Sequence, residues 1–180
     1  MNIGLLVIDM QRALLEGAFQ ASAVLDNVAE LTRRARAAGA PVVYIQHNHA
    51  SFEPLKKGNP GWEIHPRLEP QPGDLVLEKE ASDAFYATDL ASTLRDHGIA
   101  ELVVCGMMTE YCVDASARSA LSHDFDVILA SDAHTTGDSR LDASEIIAHH
   151  NTLLPNVVHP TRRIRAQASS EISFDAPHDP

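Results

Sequence analysis

The sequence predicts an α/β protein, a three-layer α/β/α sandwich around a mainly parallel sheet of six strands. Two observations carry that prediction. Short runs rich in Leu, Val and Ile alternate with longer stretches of helical period, the order in which strand–helix units are laid down. The short runs are almost continuously apolar, which marks strands covered on both faces, as parallel strands are. Right-handed crossovers then put helices on both sides of the sheet. With 180 residues, 44% hydrophobic and 22% charged, the chain can bury one substantial core, and 1–180 reads as one domain.

Ile3–Ile8 (IGLLVI) is the first strand. No basic segment precedes it and Asp9 interrupts it, so it reads as a strand rather than a secretory signal. From Ser22 to Ala38, Val24, Val28, Leu31 and Ala35 share one stripe, and Gly39 and Pro41 close that helix. Val42–Gln46 is the second strand. The stretch from Asn48 to Gly73 holds Trp62 and five prolines, and a loop so long is usually functional. Leu75–Glu78 is the third strand, followed by a helix around Asp89–His97 that stops at Gly98. Leu102–Cys105 is the fourth strand, with Gly106 straight after it. A helix from Glu110 to Ser122, with Thr109 as its N-cap, places Val113, Ala117, Ala120 and Leu121 on one face. Val127–Ala130 is the fifth strand, and Asp142 with Glu145 forms a capping pair for a helix through Leu154. Residues 157–166 carry a weaker signal for a sixth strand, and 167–180 read as a docked or frayed tail.

Charge excludes some functions. Lys and Arg number 14 against 25 Asp and Glu, a net charge of −11 with ten histidines left neutral. Such a chain repels phosphate backbones and anionic lipid, and the cluster Arg162, Arg163, Arg165 is too short to reverse that. Neither a nucleic-acid nor a membrane partner is expected. Two cysteines imply no disulfide framework and fit a cytoplasmic location.

Ligands of open α/β sheets bind beyond the carboxyl ends of the strands. Asp9 ends the first strand, Lys79 the third, and past the fourth runs GMMTEYC, ending in Cys112. A lone cysteine is most often a small buried hydrophobe, the reading given to Cys105 inside its strand. Cys112 differs, because the first turn of a helix and a neighbouring Lys79 both favour a thiolate. Asp9 can then carry a proton to a leaving amine, and N–H groups of the turn can hold an oxyanion. No glycine follows the first strand until Gly17, so a dinucleotide phosphate loop is missing. Gln11, Phe19, Trp62, Phe85 and Tyr111 are the candidates to line the pocket, each with a plain alternative as core or loop packing.

The segments VIDMQ (7–11), VLEKEASDAF (76–85) and GMMTEYCVDASARSA (106–120) resemble the isochorismatase-like cysteine hydrolases. That superfamily includes nicotinamidases, N-carbamoyl amide hydrolases and streptothricin hydrolase, and the likeness spans roughly residues 3 to 158. It implies the isochorismatase-like hydrolase fold and a catalytic triad of Asp9, Lys79 and Cys112. It further implies a cis Met107–Met108 peptide and an oxyanion hole made by the amides of Met108 and Cys112. A homodimer or homotetramer, no cofactor, and hydrolysis of a small-molecule amide through a thioester also follow from the resemblance. Nicotinamidases of this kind bind a metal with an Asp-x-His pair and a later histidine. Here the pair is replaced by His47-x-His49, with His65 further on, so no metal is expected.

Two further readings compete. One is a metal-assisted, nicotinamidase-like amidase using those three histidines. The other, of a different class, is a thiol redox protein using Cys112, against which the missing resolving cysteine counts. A non-catalytic module on the same fold would not be expected to keep all three triad residue types. A phospho-receiver would need Asp where this chain has Lys79.

Overall fold

The structure is a computed structural model that describes residues 2–175; positions 176–180 of the expected tail lie outside the described residues. At the centre of the sheet lies β1 (Asn2–Ile8), paired in parallel with β2 (Val42–His47) on one side and β4 (Ile99–Met107) on the other. β3 (Leu75–Lys79) extends the sheet beyond β2, and β5 (Asp126–Thr135) and β6 (Ile164–Gln167) extend it beyond β4. All six strands are parallel, in the order β3-β2-β1-β4-β5-β6. The order reverses between β1 and β4, so a crevice opens at their carboxyl ends.

Alternation along the strands builds two cores. Leu5, Val7, Tyr44, Val103 and Cys105 face α2 (Ala21–Ala37), packing on Val24, Val28, Leu31 and Ala35. Leu6, Ile8, Ile45, Leu102 and Val104 face the opposite way, onto Leu90 and Leu94 of α3 (Leu90–Asp96) and Ala117, Ala120 and Leu121 of α4 (Asp114–Ser122). The tail docks through Ile172 and Phe174, which join the α2-side core.

Three features depart from the sequence reading. A four-residue helix, α1 (Arg12–Leu15), follows β1 without a local signal. β5 continues past Ala130 to Thr135. Its polar Asp132 is satisfied by the tail, accepting from Ser169 N–H at 2.7 Å and Ser169 Oγ at 3.0 Å. The helix expected from Glu110 opens instead with a wide π-turn, Thr109–Val113, before α4 begins. Thr109 is not its cap, since its hydroxyl lies 2.8 Å from His134 Nδ1 of β5. The capping box at α5 (Ala143–Leu153) is present as read, with Glu145 accepting from the Asp142 N–H.

Candidate active site

Each side chain in the crevice is placed by the residue that ends its strand. Asp9 follows β1 with φ +52°, a left-handed conformation that Asp tolerates better than most non-glycine residues. Its N–H donates to Ile45 O at 2.9 Å, and its carbonyl accepts from Gln11 N–H at 2.7 Å, so the turn is tied to β2. Across the crevice Gly106 has φ +118°, and a Cβ there would lie 2.0 Å from Ile8 O. Glycine is therefore required where β4 runs closest to β1. The Met107–Met108 peptide that follows is cis. The chain then wraps back, Tyr111 and Val113 N–H both donating to Met108 O at 3.1 and 3.2 Å, and this sets Cys112 above the ends of β1 and β4.

Lys79 comes from the edge strand, two strands away from Asp9, and its ammonium is the hub of the cluster. It donates to His47 Nδ1 at 2.9 Å, Ala81 O at 2.9 Å and Cys112 Sγ at 3.1 Å. Asp9 Oδ2 lies 2.7 Å from the same nitrogen. That contact lies off the hydrogen-bonding directions, and both Asp9 oxygens are left without a hydrogen-bond partner. Asp9 is fully buried and Lys79 is 2% exposed, so this is a dry ion pair whose carboxylate retains its acceptor capacity. Cys112 is 8% exposed. A low thiol pKa was expected from Lys79 and the helix start; Lys79 does pull it down, but burial opposes that pull. Burial, reinforced by the Asp9 carboxylate, pushes the thiol up to about 12, against the opposing pull of Lys79. The resting site thus sets a thiol of raised pKa beside a carboxylate that is ion-paired with Lys79 but holds no hydrogen bond.

The isochorismatase domain family matches residues 4–152. Streptothricin hydrolase of Streptomyces noursei is 43% identical over 137 residues, covering 74% of this chain and 50% of its own length. YddQ, an isochorismatase family protein of Bacillus subtilis strain 168, is 34% identical, covering 83% of this chain and 87% of its own. Among solved structures, N-carbamoylsarcosine amidase from Thermoplasma acidophilum superposes with a TM-score of 0.78 at 28% identity, covering 96% of this chain and 99% of that one. The chain belongs to the isochorismatase family. It spans about half the length of the streptothricin hydrolases it matches.

Within this family member the expected site residues fall into two groups. Asp9, Lys79 and Cys112 meet, and Met108 and Tyr111 adjoin Cys112 on the turn, Tyr111 with 55% of its surface exposed. The other four lie apart from the cluster. Gln11 is fully buried, and its amide clamps the backbone, donating to His47 O and Trp62 O and accepting from His47 N–H. Phe19 ties its backbone to Thr135 and Thr136. Trp62 lines a surface cavity with Arg12, Gln46 and Val76. Phe85 stacks on His123 and Phe125, at the far end of α4 from Cys112.

The three histidines considered as metal ligands do not converge. His49 Nδ1 accepts from Ser51 and Phe52 N–H, and His65 Nδ1 from Arg67 N–H. Only His47 joins Asp9 and Cys112, their donor atoms within 4.8 Å of one another, and the Lys79 ammonium lies among them. That donor set does not fit the nicotinamidase metal.

Sequence reasoning missed His134. It is 1% exposed, with Nδ1 toward the Thr109 hydroxyl and Nε2 toward Asn151 Oδ1 at 2.9 Å. Asn151 in turn donates to Ser131 O, so α5 and β5 together brace the turn that carries Cys112. Burial lowers the His134 pKa from 6.5 to about 4. The folded state therefore binds the neutral ring, and its stabilisation is complete above pH 6.5 and lost as pH falls toward 4. Urea melts across that window should show a loss of about 3 kcal/mol that is absent from His134→Gln. Equal pH slopes in the two proteins would contradict the assignment.

Proposed function

We propose that the protein is a cysteine hydrolase that cleaves an amide-type C–N bond of a small molecule through a thioester. The observation that carries this reading is the buried Asp9 carboxylate, free of hydrogen bonds beside the Cys112 thiol. Cys112 Sγ attacks the carbonyl carbon while its proton passes to Asp9. The Met108 and Cys112 amides receive the developing oxyanion, and Lys79 holds its positive charge against the sulfur. As the C–N bond breaks, Asp9 returns the proton to the departing nitrogen. It then takes a proton from water, whose oxygen adds to the thioester and releases the acid and the thiol. The likeness to streptothricin hydrolase and to N-carbamoylsarcosine amidase supports amide chemistry. Cys105 belongs to the opposite core, which leaves a redox reading without a resolving thiol.

The deciding experiment is an ammonia- or amine-release screen over primary amides, ureides, N-carbamoyl amides and lactams, streptothricin among them. At least one class should turn over in the wild type and none in Cys112→Ala. Turnover should persist after prolonged chelation. Loss of activity with the removal of about one metal per chain would favour the metal-assisted reading instead.

A further inference from the structure

His47 is unused in that mechanism, yet it is part of the cluster. It pairs directly with Lys79 in the β2–β3 register, so both side chains leave the sheet on the same face. An ammonium has three N–H bonds. In this site they go to Ala81 O, Cys112 Sγ and His47 Nδ1, and none is left for Asp9 despite its closeness. Because Nδ1 accepts, the imidazole is held as the neutral Nε2–H tautomer, its side chain 12% exposed. Gln11 fixes the residue from behind through both His47 N–H and His47 O, and the His49 ring stacks on it at 5.6 Å.

We infer that His47 is a positioning residue: by taking the third Lys79 proton it keeps both Asp9 oxygens unpartnered and ready for the thiol proton. This rests on the reading of Asp9 as proton carrier. Without His47, the freed N–H turns to Asp9, the remaining unpartnered acceptor at the ammonium, and a carboxylate so bonded is a weaker base. Asparagine, whose Oδ1 can take the place of Nδ1, should preserve the arrangement, whereas leucine should not.

The test has a kinetic and a spectroscopic arm. His47→Leu should lower kcat on an amide by about tenfold or more, the range of one hydrogen bond to a charged group, with KM changed less than about twofold. Its loss on an activated ester of the same acyl group should be comparable, because both substrates need the thiol proton removed, and His47→Asn should recover the amide rate to within about threefold. In an Asp9→Asn background His47→Leu should cost nothing further. A loss confined to the amide, no recovery by asparagine, or additive losses with Asp9→Asn would overturn the inference. The second arm needs no substrate, so it stands even if no amide is found to turn over. Nitrogen-15 spectra of the wild type should show the His47 Nε2–H tautomer with a hydrogen-bonded Nδ1, and Lys79→Met should shift that Nδ1 signal. A His47 spectrum indifferent to Lys79→Met would overturn the inference on its own.

Discussion

Cys112→Ala should abolish turnover, by at least about 10⁴-fold, the scale on which removal of a covalent nucleophile acts. The fold should persist, because the change deletes one sulfur from a residue at the margin of the α4-side core. Cys112→Ser should be similarly inactive, since its hydroxyl is a far weaker nucleophile beside a carboxylate base. Iodoacetamide separates the two cysteines by position. Cys105 is completely buried on the other face of the sheet and burial raises its thiol pKa far above the usual range. Cys112 borders the crevice. Peptide mapping after partial alkylation should find the label on Cys112 with Cys105 unmodified, and activity lost in step with it. Equal labelling of both, or full labelling of Cys112 with turnover retained, would remove the nucleophile from the proposal.

Asp9→Asn and Lys79→Ala should move the Cys112 thiol in opposite directions while both slow amide cleavage. The Asp9 carboxylate holds the thiol pKa up and Lys79 holds it down. Asp9→Asn should therefore shift the pH midpoint of alkylation down, and Lys79→Ala should shift it up. Turnover divides the two roles differently. Loss of the proton carrier should cost about 10²–10⁴-fold on an amide and somewhat less on an activated ester, which still needs the thiol proton removed but no proton on its leaving group. Loss of the cation should impair both substrates, because the attacking sulfur needs Lys79 whatever group departs. Lys79→Ala also strips a fully buried carboxylate of its counter-charge, a cost of about 3–5 kcal/mol, so melting curves belong beside the kinetics. An Asp9→Asn enzyme equally impaired on amide and ester would take the proton transfer to the leaving nitrogen away from Asp9.

Local signals were legible where the physics is local. The Asp142–Glu145 capping box is a contact within one helical turn, and the apolar runs of β1, β2 and β4 could be read directly because burial on both faces leaves no polar interruption. Thr109 was misread as a cap because His134, 25 residues away in sequence, competes for its hydroxyl. The end of β5 was missed because its Ser131 and Asp132 look like a loop until Asn151 and the tail are seen to satisfy them. His47, amid the histidines of a proline-rich segment, resembled a solvated or metal-binding residue. Its place opposite Lys79 depends on the pairing of two strands more than 30 residues apart.

By itself, then, the sequence determined the class of fold and the polar residues at or just past the ends of the first, third and fourth strands. Both follow from apolar period, glycine placement and the motifs around Asp9, Lys79 and Cys112. Tertiary structure alone decided which strand ends meet and how their protons are shared. The order β3-β2-β1-β4-β5-β6 puts Lys79 two strands from Asp9, so its chain must reach past β2, and His47 stands on that path. Burial of the assembled group then pushes the Cys112 thiol up against the pull of Lys79, because desolvation depends on everything packed around a charge and no stretch of sequence encodes it.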